Sequence, residues 1–327
     1  MSSILDQVVT VGVEAVAYGT PELTTVRSFE AKSDTFTRDV EYIQSVGLRR
    51  DLQTIRSDRD DTISLGASGS LELDVQNKGL GMLLQHLLGA VSGPTQLGSS
   101  IAYKTVASTN DVGPAGSYTI QVSRVDSGGT LRPYTYEGCV ATGFSIAQEI
   151  GSPLNLNISY DAENEQVSSG EATPSYPAST EVFNYTDCVI AIDGVAATNF
   201  TSFSVEGDLG MRLDRRFLKG SATKSQPLRS SVPSYTGSIA AEFASLGDYN
   251  KFVAGTTFSI NASWNGSSIE SPYNYEIVVE IPVAKFTGST PVASLDDLTQ
   301  IDLPFVVLDG GSSAAVTINY TSTDTSL

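Results

Sequence analysis

The chain has 327 residues, 40 % of them hydrophobic and only 17 % charged, and carries a formal net charge of −18. That acidity argues against a surface built to hold phosphate backbones or anionic membranes, and no window approaches the length of a membrane span. The two cysteines are too few for a disulfide framework, and the length suits two domains, each able to bury its own core.

Gly, Ser and Thr are abundant, which points to sheets and turns more than to long helices. Arg outnumbers Lys and Asp outnumbers Glu. In molar salt the Debye length shrinks to about 3 Å, so an acidic, self-repelling surface becomes tolerable and a halophilic source is expected.

Residues 1–25 read as an extended arm ending in the turn Tyr18-Gly19-Thr20-Pro21. The arm lacks the basic region and uninterrupted apolar run of a secretory signal, so a soluble intracellular product is expected. A strand follows near 26–31. The segment 47–61, GLRRDLQTIRSDRDD, is a polar excursion that concentrates Arg49, Arg50, Arg56 and Arg59. It reads either as a solvated hairpin or as a docking element.

The stretch 69–89, GSLELDVQNKGLGMLLQHLLG, has strand alternation at Leu71, Leu73 and Val75, then a Gly-containing turn, then a helix. Leu80, Leu83, Leu84 and Leu87 form one apolar stripe meant for a sheet. His86, the single histidine, has no second histidine or adjacent nucleophile and is expected to be structural. A relative of this stretch returns at 237–255, GSIAAEFASLGDYNKFVAG, at a constant offset of 168 from Gly69/Gly237 to Leu84/Phe252. On the outward face Asp74 meets Glu242 of the second copy, and Glu72, Asp74 and Glu242 are candidates for a solvent or lumen face.

Further blocks extend the repeat. YTIQV at 118–122 resembles YEIVV at 275–279, FSI at 144–146 resembles FVV at 305–307, and LNISY at 156–160 resembles VTINY at 316–320. The strand at 200–205 answers the first strand, and the excursion at 211–233 answers the one at 47–61, with Arg215, Arg216 and Lys219 on it. The turns DSGG at 126–129 and DGGS at 309–312 are expected in hairpins. The Ser-, Glu- and Pro-rich stretch 162–183 is expected to link domains 1–161 and 184–327.

No metalloprotease, hydrolase-elbow, P-loop or dinucleotide fingerprint occurs, so no catalytic residue, cofactor or metal site is expected. Asp58, Asp60, Asp61, Asp296 and Asp297 lack calcium-loop spacing and read as loop charges. Cys139 and Cys188 lie in apolar runs and read as buried free thiols, and Trp264 reads as core.

The blocks GVEAVAYGTP (12–21), SFEAKSDTF (28–36), GASGSLELDVQNKGLGMLLQHLLG (66–89), EGCVATGFSIAQEIGSPLNLNISYD (137–161), SFSVEGDLG (202–210) and YTGSIAAEF (235–243) resemble, in order, tail tube (major tail) proteins of long-tailed viruses. The resemblance implies a mainly β fold of two tandem β-sandwich domains, each with a short flanking helix. It implies stacked rings around a lumen that passes genomic DNA without binding it, in the virion tail, after assembly in the host cytoplasm. Related tubes with one domain per chain form rings of six, so a duplicated chain is expected as a homotrimer. The acidic composition adds a virus of a halophilic archaeal host. An adhesive or receptor-binding β-sandwich surface protein is the alternative.

Overall fold

Alternation of buried and open side chains runs through nearly every segment, and a computed structural model resolves it into strands with two short α-helices among the described residues. These are residues 6–45, 47, 50, 53–54, 56–167, 170–288, 290–291 and 299–327. The first half contains β1 (Val8–Val13), β2 (Val26–Phe29), β3 (Ala31–Asp34), β4 (Thr37–Gln44), β5 (Asp60–Asp74), α1 (Gly81–Leu88), β6 (Gly89–Gln96), β7 (Tyr103–Thr109), β8 (Tyr118–Val125), β9 (Leu131–Glu149), β10 (Asn155–Ala162) and β11 (Asn164–Gln166). The second contains β12 (Cys188–Ile192), β13 (Val195–Ala196), β14 (Phe200–Asp208), β15 (Met211–Arg212), β16 (Leu228–Arg229), β17 (Ser234–Glu242), α2 (Gly247–Ala254), β18 (Phe258–Glu270), β19 (Tyr273–Phe286), β20 (Gln300–Val307) and β21 (Thr317–Ser322).

One antiparallel sheet runs through both halves. β3 and β4 pair with β5, then β10, β9, β14, β17 and β20 follow in order. Two further layers cover its apolar face. The first is β2–β1–β8–β9–β11, and the second is β13–β12–β18–β19–β21–β7–β6. Leu71, Ile158, Ile146, Val205, Ile239 and Leu303 all point into the space between layers and are at most 2 % exposed. The result is a mainly β, sandwich-type fold.

β9 belongs to two layers. Its first part pairs with β8 and its last part with β10 and β14. The crossing occurs at Gly138, whose φ is +65° and where a Cβ would come within 2.9 Å of Tyr18 and Glu163. A side chain there would meet both strain and overlap, so glycine is what lets one strand serve two sheets.

Within the predicted arm, residues 8–13 form a strand. β1 is held between β2 and β8, and the segment after it is pinned by Glu14. That buried carboxylate accepts from Gly19 N (2.9 Å), Ser117 Oγ (2.5 Å), Thr119 Oγ1 (2.9 Å) and Gly138 N (2.8 Å). Four donors satisfy a charge that burial alone would make costly.

The stripe Leu80, Leu83, Leu84 and Leu87 is at most 3 % exposed, so α1 is core as its spacing predicts. α2 differs, having no buried residue, with Val253 and its N-cap Leu246 exposed. His86 is structural. Its Nδ1–H donates to Ala115 O (3.1 Å), its Nε2 accepts from Ala141 N (3.0 Å), and its ring stacks on Tyr118 at 3.9 Å. Accepting at Nε2 requires the neutral imidazole, and burial holds its pKa down to about 4. Trp264 is core in mid-β18 and donates to Gln148 Oε1 (2.9 Å) in β9, tying the halves together. Cys139 is buried and Cys188 half-buried, both free, and burial pushes the Cys188 thiol up to about 12.

Strand order corrects the later repeat blocks. β8 pairs with β1 as β18 pairs with β12, and β10 sits between β5 and β9 as β20 sits between β17 and β19. By position in the sheet, YTIQV of β8 therefore corresponds to β18, FSI of β9 to β19, and LNISY of β10 to β20. The three sequence matches are each displaced by one strand, because alternating apolar patterns of equal length look alike whichever strand carries them. The turn at 126–129 closes the β8–β9 hairpin, with Asp126 Oδ1 accepting from Gly128 and Thr130 N. The one at 309–312 joins β20 to β21, which both pair with β19 and not with each other.

The stretch 162–183 does not hang free where it is described. β11 pairs with β9, Ser28 N donates to Ser175 O (2.9 Å), Asn77 N to Glu181 O (2.9 Å) and Phe183 N to Val75 O (3.0 Å). Ala172 and Phe183 are buried and anchor it to the first half.

Candidate functional site: a cation-poor sheet face

The continuous sheet has one face in the core and one face open. On the open face the register places Ser70, Glu72 and Asp74 of β5 beside Ser159, Asn157 and Asn155 of β10. Across β9 and β14, Ser145 meets Glu206 and Glu149 meets Ser202. Across β17 and β20, Ala240 meets Asp302 and Glu242 meets Gln300. The lining is mostly Ser, Thr, Asn and Ala with scattered carboxylates, with Pro304 and Val306 on β20.

None of the stretches 60–74, 143–149, 155–162, 200–208, 234–242 and 300–307 contains a Lys or Arg, although the chain has 19 such residues. Among the described residues, two lysines from outside these stretches reach this face: Lys32 of β3, whose Nζ lies 3.8 Å from Glu72 Oε1 and 3.2 Å from Asp74 Oδ1, and Lys224, whose Nζ lies over Gly66 and pairs with Asp161. Asn155 Nδ2 donates to Glu72 Oε1 (2.9 Å). Ser145, Asn157, Ser159, Glu206, Asp208 and Thr236 line a shallow trough on this surface. Such a face presents short side chains, negative potential and no donor fork for a phosphate.

Glu72, Asp74 and Glu242, the predicted face residues, all lie on it. Sequence reasoning missed Glu149, Glu206, Asp208 and Asp302. Strand alternation through β9, β14 and β20 carried the signal, but only the pairing shows that these strands adjoin.

Lining up more carboxylates than cations makes the face self-repelling in dilute buffer. The melting temperature is therefore expected to rise from dilute buffer to molar NaCl. A curve that stays flat over that range would show that repulsion is not limiting.

Both excursions leave the same end of this sheet, one between β4 and β5 and the other between β14 and β17. Arg49 lies outside the described residues, as do Asp296 and Asp297. Arg56 pairs with Asp58, Arg59 is exposed, and Arg50 is also at the surface. Arg215 Nη1 donates to Gln226 O, and Arg216 donates to Ala222 O and to Leu65 O (3.2 Å). Lys219 Nζ donates to Ser225 Oγ (3.3 Å). Arg215, Arg216 and Lys219 thus shape their own loop, and Arg216 also ties it to β5.

The residue that fastens this loop most firmly is Lys224, which sequence reasoning passed over. Its Nζ lies 2.5 Å from Asp161 Oδ1, and both side chains are 7 % exposed. Leu65 N donates to Ala222 O (3.0 Å) beside it, so the second excursion is docked on the first half.

The model of the phage tail tube protein family matches residues 5–307. The chain belongs to that family. No curated protein matches the chain. Membership makes this tail tube protein a structural component of the virion tail that assembles with itself and with other tail proteins. Among the described residues no helix is long and apolar enough to cross a membrane, which says nothing of a β-barrel.

Proposed function

We propose that this protein polymerises as stacked rings into the tail tube, with the cation-poor open face of the continuous sheet lining the lumen through which genomic DNA leaves the capsid. The observation that carries the reading is the absence of Lys and Arg from six stretches of strand that together form one open face. Each phosphate contact by a cation releases counterions and holds the polymer in place, so a conduit works best without them. Glu72, Asp74, Glu149, Glu206, Asp208, Glu242 and Asp302 are the proposed lumen carboxylates. A haloarchaeal host agrees with the acidic surface, and assembly would take place in its cytoplasm.

The ring is proposed to be a trimer of pseudo-sixfold appearance. The order β1–β8–β9–β10–β5 recurs as β12–β18–β19–β20–β17, which supports two tube-type domains, 1–161 and 184–327, in one chain. Lumen width follows the number of strands that close the inner wall, so two domains per chain halve the number of chains. The β9–β14 seam then stands where a one-domain tube has a joint between subunits.

Electron microscopy of the purified protein in molar salt tests both statements. Tubes with three chains of 34.5 kDa per ring are expected. Six chains per ring would remove the trimer, and protein that stays monomeric at high concentration would remove the tube.

A further inference from the structure

Tube growth requires that one rim of a ring recognise the other, and the two ends of β14 carry surfaces of complementary kind. At one end the second excursion exposes Leu213, Phe217, Leu218 and Leu228, with Leu218 wholly in solvent. Arg215, Arg216 and Lys219 flank the Phe217-Leu218 tip, which is therefore apolar with a positive collar. The loop behind it is fixed by the Lys224–Asp161 pair and the Arg216 bonds, so the tip is presented by a docked scaffold.

At the other end, about 26 Å away at ~3.3 Å per residue along β14, lies an open cleft of about 290 Å³. Ile150, Tyr185, Cys188, Val189, Ile190 and Phe200 line it. Ile150, Tyr185 and Val189 are exposed apolar side chains with no cover in the single chain. Glu149 also lines it, which gives the cleft an acidic margin.

We propose that the Phe217-Leu218 tip of one ring inserts into the Ile150–Val189 cleft of a chain in the next ring. The occupant is a second copy of this chain. Knob and cleft lie on different patches at opposite ends of the same strand, so the contact is heterologous and does not close on itself, and repetition of it generates a filament. The positive collar meets the acidic margin and sets orientation. Exposed apolar groups of this size are otherwise a liability for a soluble chain, and burial at every joint removes it. The inference rests on the tube reading above and names the joint that reading leaves open.

The test uses the full-length chain in molar salt. Phe217→Ser with Leu218→Ser, and separately Val189→Arg, are expected to keep the wild-type melting temperature and form rings. Each should raise the critical concentration for tubes tenfold or more. For direct contact, Leu218→Cys is combined with Val189→Cys on a Cys188→Ala background, since Cys139 is 0 % exposed and stays silent. A short bismaleimide applied to assembled tubes should give a ladder of covalent multimers that neither single-cysteine chain gives. Tubes that grow at the wild-type concentration from the serine variant, or tubes of the paired-cysteine chain without a ladder, would overturn the joint while leaving the tube reading intact. Wild-type protein that forms no tubes would overturn the tube reading and this joint with it.

Discussion

Replacing Lys224 by Met is expected to lower the unfolding free energy by about 3–5 kcal/mol, the usual consequence of leaving one member of a buried ion pair alone. The pair is dry, with Nζ and Oδ1 at 2.5 Å and both side chains 7 % exposed. Asp161 already stands near its limit. Burial holds its carboxyl above the ordinary range despite the ammonium beside it, and its Oδ2 has no hydrogen-bond partner. Without Lys224 that carboxylate has to take up a proton or draw in water. Asp161→Asn should cost a similar amount by stranding the ammonium. The double variant Lys224→Met with Asp161→Leu should recover most of the loss, because apolar groups of similar volume often replace a buried pair without penalty. Urea melts of the three variants measure this. Single-variant losses below about 1 kcal/mol would mean that the pair behaves as a solvated one.

The second large effect is on the pH dependence of stability, where two buried groups act in opposite directions. His86 has a folded pKa of about 4 against 6.5 for the free side chain. The unfolded chain takes up a proton below pH 6.5 that the native chain refuses, so this contribution is complete above 6.5 and is lost as pH falls toward 4. Glu137 is 5 % exposed, and its Oε1 has no hydrogen-bond partner. Burial, reinforced by Glu14 and Glu163, pushes its carboxyl from 4.5 up to about 7. The native chain keeps that proton where the unfolded chain has released it, so the contribution is complete below 4.5 and is lost as pH rises through 7. Each amounts to at most about 3 kcal/mol at 1.36 kcal/mol per unit. The slopes cancel between about pH 4.5 and 6.5, and wild-type stability should be nearly level there.

Glu137→Gln removes one side of the balance. That variant should be more stable than wild type at pH 8, by up to about 3 kcal/mol, since a neutral amide replaces a buried carboxylate. Below pH 6.5 it should lose stability as pH falls, because Glu137 no longer offsets the His86 contribution. Urea midpoints from pH 5 to 8 decide the matter, and a variant with the wild-type pH slope would show that Glu137 is solvated in the native state.

The amino-acid sequence alone determined the fold class, the apolar stripe of α1, the structural roles of His86 and Trp264, and the outward direction of Glu72, Asp74 and Glu242. Each is a local matter. Side-chain period and composition decide which residues turn inward, and every strand or helix carries that information in its own residues. The tertiary structure decided what lies beside what. It placed part of the arm as β1 between β2 and β8 and gave the adjoining Glu14 three donors from distant segments besides Gly19. It moved the later repeat matches by one strand, docked the 162–183 stretch, and paired Lys224 with Asp161 across 63 positions of sequence. It also set β9 beside β14, which is what turns separate polar alternations into one cation-poor face. The physical reason is that strand pairing uses backbone groups common to every residue. Alternation therefore states which side of a strand is buried, while the identity of its neighbour is settled only when all the strands compete for partners in the folded chain.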